Sequence, residues 1–361
     1  SICIQTIIDY TKFETNTKIE KITEIPIILP SIYICNNNPF VSDNSMDLAR
    51  EIVSNLKNQA DRDYYAQMFS YGNLNDKNFS QLKNLNEILE QFKLLLANPA
   101  IPVEIKQKFG LKKNLFIYTC KQDRTCNYDD LRWFYNYYTG NCFSFNTGFS
   151  ENGNKTNQFY SQKERGYNYG IRMEIFSGYI ENNPINVFSI LPQRGLGILI
   201  ANQSFMPIFI EEYIPFRTRL ATYFKVKKVI NKRLPYPYSD CVESENFQSI
   251  YNDEFKKLGY LYDQKSCIVL CYQKIIINNC SCYDVGYKDI FDRDLFNTKS
   301  CFTVSELNCL FDIYEKFDSK ECYKECPLEC LSVSYELQSW SEDYPGKGNN
   351  RFLFSKNPIF E

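Results

Sequence analysis

The side chains with the most chemistry to offer in this chain are its cysteines, 15 of them in a sequence with no histidine. Cys3, Cys35, Cys120, Cys126 and Cys142 are scattered. Cys241, Cys267, Cys271, Cys280, Cys282, Cys301, Cys309, Cys322, Cys326 and Cys330 crowd one stretch, and residues 143–240 carry none. Thiols either hold metal or pair. Cys-x-Cys at 280/282 and Cys-x3-Cys at 267/271, 322/326 and 326/330 lack the Cys-x2-Cys knuckles of zinc ribbons, and no imidazole can complete a mixed site. Disulfides in an oxidising compartment are the better reading. The missing histidines also remove Ser-His-Asp and Cys-His catalysis and an imidazole pH switch.

The spacing offers a way to pair the crowded ten. Cys267 and Cys271 stand four apart, on one face of a helix over 265–279, and Cys322 and Cys326 repeat that interval. Two such segments packed antiparallel form the rungs Cys267–Cys326 and Cys271–Cys322. Continued outward and inward, the nesting gives Cys241–Cys330, Cys280–Cys309 and Cys282–Cys301, a helical hairpin with its tip between 282 and 301. Sequence alone leaves the connectivity open.

Other chemistry is sparse. There is no Gly-x4-Gly-Lys-Ser/Thr loop, no Gly-x-Gly-x2-Gly turn and no Gly-x-Ser-x-Gly elbow, so neither an enzyme nor a cofactor is expected. The net charge of −2 gives no field for nucleic acid. Charge is unevenly placed: residues 239–335 carry 17 acidic and 10 basic side chains, and the remainder is net positive. Sequons occur at Asn78, Asn154, Asn202 and Asn279; the last lies among proposed bridges, so Asn78, Asn154 and Asn202 are the glycosylation candidates. No apolar run is long enough to span a bilayer as a helix. The start on Ser1, without a leader-like segment, reads as a fragment of a longer protein.

The elements that must position these residues are mixed, and the fold class expected is α+β. Residues 25–35 are apolar and β-branched, broken by prolines, and read as strand. Ala49, Ile52, Val53 and Leu56 mark a helix over 45–69 with Ser45 in the N-cap position, and Leu85, Ile88, Leu89 and Phe92 mark a second over 80–97. From 143 to 235 short β-rich runs, among them 170–176, 197–200 and 220–229, alternate with turn clusters and read as sheet.

Several segments carry a resemblance to a known family. Leu29-Pro-Ser-Ile-Tyr-Ile-Cys35-Asn-Asn-Asn-Pro-Phe40 resembles the Phe-Pro-x-Val-Thr-Ile-Cys-Asn-x-Asn-Pro-Phe segment of the epithelial sodium channel/degenerin/acid-sensing ion channel family. Gly140-Asn-Cys142-Phe-Ser-Phe-Asn-Thr-Gly148 resembles its Gly-x-Cys-Phe-x-Phe-Asn-x-Gly, and Leu234-Pro-Tyr-Pro-Tyr-Ser-Asp-Cys241 its Leu-Pro-x-Pro-aromatic-Gly-x-Cys. The later Cys-x3-Cys, Cys-x-Cys and Cys-Pro-x2-Cys330 run, followed by Tyr335 and Trp340, is similar to the family's thumb. Departures are Leu29 for the family's Phe, Ser239 for its Gly, and Ala201 where a His is common.

The resemblance implies the extracellular region of one subunit of a trimeric, sodium-selective, amiloride-sensitive channel of the plasma membrane, with membrane helices outside these residues. It implies Cys35–Cys142 and Cys120–Cys126 besides the five nested pairs, leaving Cys3 over. A hand-like ectodomain follows: wrist and start of palm at 1–42, finger at 43–140, palm and β-ball at 141–238, thumb at 239–335, and a return toward the palm at 336–361. A stimulus acting between finger and thumb, a peptide or protons titrating opposed carboxylates, would move a stiff thumb coupled to the pore. Tyr238, meeting Tyr10 or Phe13, is the expected coupling contact. The competing reading is a soluble, secreted, disulfide-rich binding protein without channel activity.

Overall fold

A computed structural model of the chain describes residues 17–37, 101–121, 130–149, 158–164, 169–177, 195–208, 212–245, 247–287 and 298–344, with some single positions and short stretches besides. The apolar, proline-broken run at 25–35 forms two strands. Pro30 has no N–H to donate to a ladder, and the run divides there into β1 (Ile27–Ile28) and β2 (Ser31–Asn36). β1 pairs with β6 (Ser161–Gln162). β2 lies at the centre of a five-stranded sheet in the order β4 (Leu131–Asn136), β5 (Gly140–Phe145), β2, β8 (Leu196–Ala201), β9 (Ile214–Phe216), every pairing antiparallel. β4, within the 43–140 range expected as finger, pairs with β5.

All six residues of β5 are buried, because β4 and β2 flank it and both of its faces are covered. Cys142 on β5 stands directly opposite Cys35 on β2, with Cα atoms 4.3 Å apart, and the two are disulfide-bonded. One face of the sheet packs Ile34, Leu131, Phe143, Phe145, Leu196 and Ile198 against Phe116 and Ile117, with the Phe116 and Phe143 rings stacked at 5.2 Å. Two short helices, α1 (Val103–Gln107) and α2 (Lys113–Phe116), lead into β3 (Ile117–Lys121), which pairs with β7 (Arg172–Ile175). Cys120–Cys126 closes the loop after β3.

β10 (Leu220–Lys232) and β11 (Leu331–Asp343) form a separate antiparallel ribbon, in register from Leu220 opposite Asp343 to Lys232 opposite Leu331. The chain between them folds into the cysteine-rich helices. α3 (Ile250–Leu258) starts on a Ser249 cap and ends at Gly259, whose φ of 82° suits a residue without a Cβ. α4 (Gln264–Cys280) starts on an Asp263 cap. α5 (Val304–Lys316) starts on a capping box of Thr303 and Glu306. The expected helix over 45–69 lies outside the described residues. Of the one over 80–97, Lys93, Leu94 and Leu96 are helical, and Lys93, Leu94, Leu96 and Ala97 are buried.

The helical region is cross-linked by Cys241–Cys330, Cys267–Cys326, Cys271–Cys322, Cys280–Cys309 and Cys282–Cys301. The segment opposite Cys267 and Cys271 is not a helix of matching pitch. It is a 3-10 turn, Ser319–Cys322, followed by further turns through Cys326, so the two rungs share one helical side and one irregular side.

Candidate functional site

The base of the helical region is where three parts of the chain meet, and the meeting is built around the first turn of α4. Gly259 turns the chain out of α3, and Tyr260 and Tyr262 bury their rings in the helical core with Phe255, Leu270 and the sulfurs of Cys267 and Cys326. That burial fixes Asp263 as the cap of α4. On one side, the Leu261 N–H donates to the Ser204 carbonyl at 2.6 Å and the Ser266 hydroxyl to the Met206 carbonyl at 3.3 Å, while Lys265 pairs with Glu212 at 2.9 Å. These three bonds fasten α4 to the connection between β8 and β9.

On the other side stands the segment Cys326-Pro-Leu-Glu-Cys330. The Gln264 N–H donates to Glu329 Oε2 and its side-chain amide to the Cys326 carbonyl, both at 2.9 Å. The Tyr262 hydroxyl donates to the Pro327 carbonyl at 2.5 Å. Arg233, just past β10, donates through Nη1 to the Glu329 carbonyl at 3.0 Å, lies 3.9 Å from Glu329 Oε1, and donates its backbone N–H to Cys330 at 2.7 Å. The ribbon is therefore tied to α4 through Glu329.

Two carboxylates thus share one helix N-terminus. Asp263 Oδ1 accepts from the Ser266 N–H at 2.8 Å, the ordinary cap bond. Its Oδ2 is shielded from solvent and has no hydrogen-bond partner, although the residue as a whole is half-buried. Burial pushes the Asp263 carboxyl up to about 6; the bonds from Ser266 oppose that shift, and the nearby Glu329 and Glu212 charges add to it. Burial, then the Glu329 and Asp263 charges, also raises the Tyr262 hydroxyl above its ordinary range.

Charge is handled differently elsewhere in the helical region. Asp284, beyond the far end of α4, is likewise raised by burial, but it accepts from the Gly286 N–H at 2.8 Å and the Tyr272 hydroxyl at 3.2 Å. Glu306, in the α5 capping box, is held down at about 2 by Lys299, 2.5 Å away, and by the N–H groups of Phe302 and Thr303.

Among the residues singled out from sequence, Tyr238 lies in the turn after β10, exposed, with its N–H donating to Pro235 at 3.0 Å. That turn precedes Cys241, so Tyr238 borders the base of the helices. Tyr10, Phe13 and Asn78 are outside the described residues, as is the 45–92 side of any carboxylate pair between finger and thumb. Asn154 is exposed. Asn202 is half-buried, accepts from the Ser204 N–H at 2.8 Å and hydrogen-bonds the Tyr335 hydroxyl, so its amide is engaged inside the protein. Among the described residues no group of three or more His, Cys, Asp or Glu is arranged to hold a metal ion, and no helix is long and apolar enough to cross a membrane.

Sequence reading did not single out Asp263, Glu329, Arg233 or Glu212. The available signal was local: Asp263-x-x-Ser266 directly before a cysteine helix is a cap pattern, and Glu329 lies between Cys326 and Cys330. What sequence could not supply is that residues 212, 233, 263 and 329 converge.

Similarity to known proteins bears on what this arrangement belongs to. A family model described as amiloride-sensitive sodium channel matches residues 1–359. The epithelial sodium channel subunit gamma of Pelodiscus sinensis is 26% identical over 236 residues, covering 64% of this chain and 33% of that protein. Degenerin deg-1 of Caenorhabditis elegans is 29% identical over 183 residues (50% of this chain, 22% of that protein), and degenerin del-1 of the same organism is 26% identical over 264 residues (69% and 34%). The chain spans about a third or less of the length of these relatives: 33%, 22% and 34%.

Proposed function

This chain belongs to the amiloride-sensitive sodium channel family, and we propose that it is the extracellular region of one subunit of a trimeric, sodium-selective cation channel of the plasma membrane. Homologous subunits are its partners, sodium is the permeating ion, amiloride the blocker, and the pore lies in helices outside these residues. The match over residues 1–359 carries this reading.

In this reading residues 239–335 are the thumb, 141–238 palm and β-ball, 43–140 the finger, 1–42 the wrist and start of the palm, and 336–361 the return. The five disulfides support a thumb that moves as one body, since each restricts the segments it joins. An extracellular stimulus, a peptide or protons, favours one gate state by binding it more tightly. The thumb carries the displacement to its base, and the ribbon of β10 and β11 passes it on toward the membrane, with Tyr238 and the wrist residues Tyr10 and Phe13 as the coupling contacts. Asn78 and Asn154 are the glycosylation positions this reading retains; the engaged amide of Asn202 makes it the weakest of the three.

The test is voltage clamp of the full-length protein in oocytes, together with the coding sequence on both sides of this region. The expected result is an apolar segment of about 20 residues on each side and an inward sodium current blocked by amiloride. A leader peptide and a stop codon in place of those segments would instead establish the secreted binding protein.

A further inference from the structure

We propose that Asp263 and Glu329 make the base of the thumb an acid-sensitive latch: uptake of one proton by Asp263 tightens the joint between α4, the β8–β9 connection and the ribbon. This deepens the channel reading above and rests on it only for the consequence at the gate.

The geometry sets the two carboxylates apart. Glu329 accepts from the Gln264 N–H and has the Arg233 guanidinium 3.9 Å away. Asp263 accepts from the Ser266 N–H through Oδ1, its Oδ2 has no hydrogen-bond partner, and among the described residues no cation pairs with it. Lys265, its neighbour on α4, is turned outward to Glu212. The remaining titratable group against it, Tyr262, donates its hydroxyl to Pro327 and offers Asp263 nothing. Two negative groups therefore meet one helix end, and only one of them has a counter-charge. A proton settles on Asp263 Oδ2, the oxygen with no partner, while Oδ1 keeps the cap bond. The step adds one H⁺ from solvent to one carboxylate and breaks no bond.

The consequence falls on the joint because the same helical turn holds it. Ser266, which caps through its N–H, also donates its hydroxyl to Met206, and the residues on either side of Asp263 bond Pro327 and Glu329. Opening the joint hydrates Asp263, which then behaves as an ordinary carboxylate. At neutral pH opening relieves the cost of burying its charge. In mild acid that relief is gone.

The experiment is hydrogen exchange on the full-length protein in detergent, corrected for the intrinsic pH dependence of exchange, read at the amides of Gln264–Cys267. With the carboxyl near 6 in the closed joint and 3.8 when hydrated, opening of wild type falls about tenfold between pH 7.5 and pH 5. Asp263→Asn and Asp263→Ser keep a cap and carry no charge; both are expected to flatten this profile at the acid, well-protected level. A flat wild-type profile, or variants that retain the wild-type slope, overturns the latch. Voltage clamp on the same variants reads the gate: a proton response that either substitution removes ties the latch to gating, and one that both leave intact confines the latch to the fold and overturns its gating consequence. Absence of any wild-type current refutes the channel reading, and the exchange profile still decides the latch.

Discussion

Strand β5 buries all six of its residues, whereas α5, thirteen residues long, fully buries only Leu310. The sheet, with a single disulfide between β2 and β5, is held mainly by side chains packed on both faces of its central strands. The helical region encloses loops of 19 to 89 residues with five disulfides and uses the sulfurs themselves as core: Cys267, Cys322 and Cys326 are completely buried. Where apolar area is thin, covalent links supply the rigidity. No disulfide joins residues 31–216 to residues 241–330; among the described residues hydrogen bonds, packing and an ion pair link them. Apart from the backbone itself, the joint between the two regions rests on these noncovalent contacts.

The comparison breaks first if equal truncations act equally. Phe143, stacked on Phe116 and 2% exposed, is expected to cost about 3–5 kcal/mol as Phe143→Ala. Phe311 on α5 is 58% exposed, and Phe311→Ala is expected to stay within about 0.5 kcal/mol. Urea unfolding of both variants checks this; similar losses would mean that α5 is covered by more than the structure shows. The next effect belongs to the disulfides. Replacing Cys271 and Cys322 together by serine removes a link closing a 51-residue separation, at an expected cost of about 2–4 kcal/mol. Hydrogen exchange should quicken along α4 and in the turn at 319–326 while β2 and β5 stay protected. Loss of protection in the sheet would show that the two regions unfold as one.

Much of this division was legible in the sequence, and the exceptions have physical causes. Cys267 and Cys271, four apart, signal a helix face because a helix places such residues one above the other. The matching interval of Cys322 and Cys326 signals nothing similar, since an irregular turn bridges the same distance. The 25–35 run shows its β-branched residues but not that Pro30 sends its halves to different partners. The joint was invisible because Glu212, Arg233, Asp263 and Glu329 are ordinary surface residue types until the fold brings them together. Only the cap role of Asp263 is written locally, and its unpartnered Oδ2 follows from Tyr260 and Tyr262 being pulled into the core beside it.

Asp263 gives a sharper version of the comparison, because it puts the pH response at the joint. Its folded-state value, about 6, lies above the ordinary 3.8, so the native state binds the proton more tightly than the unfolded chain. The burden of a buried charge is absent below about pH 4, and it grows as pH rises through 6 to roughly 2–3 kcal/mol. Asp263→Asn is therefore expected to stabilise the protein by up to that amount at pH 7.5 and by nothing at pH 4, read as urea midpoints at the two pH values. A gain of equal size at both would point to better capping in place of charge relief.

The far end of the helical region should respond to acid in the opposite direction, with the smallest effect of the set. Glu306 is held near 2, below its ordinary 4.5, first by Lys299 and then by the Phe302 and Thr303 N–H groups. Its contribution is present above about pH 4.5 and is lost as pH falls through 2. The Lys299 partner is 64% exposed, so solvent and salt screen much of that contribution. Thr303→Ala removes the hydroxyl that accepts from the Glu306 N–H at 3.3 Å, at an expected cost of about 1 kcal/mol. The Phe302 and Thr303 N–H groups still reach Glu306 Oε2 in that variant. Thr303→Ala should thus lower stability evenly across pH, while Glu306→Gln should lower it most above about pH 4.5, progressively less as pH falls to 2, and leave the α4 amides untouched. Exchange at the α5 amides separates the two variants, and a matching change at Gln264–Cys267 would mean that the disulfides carry strain from one end of the helices to the other.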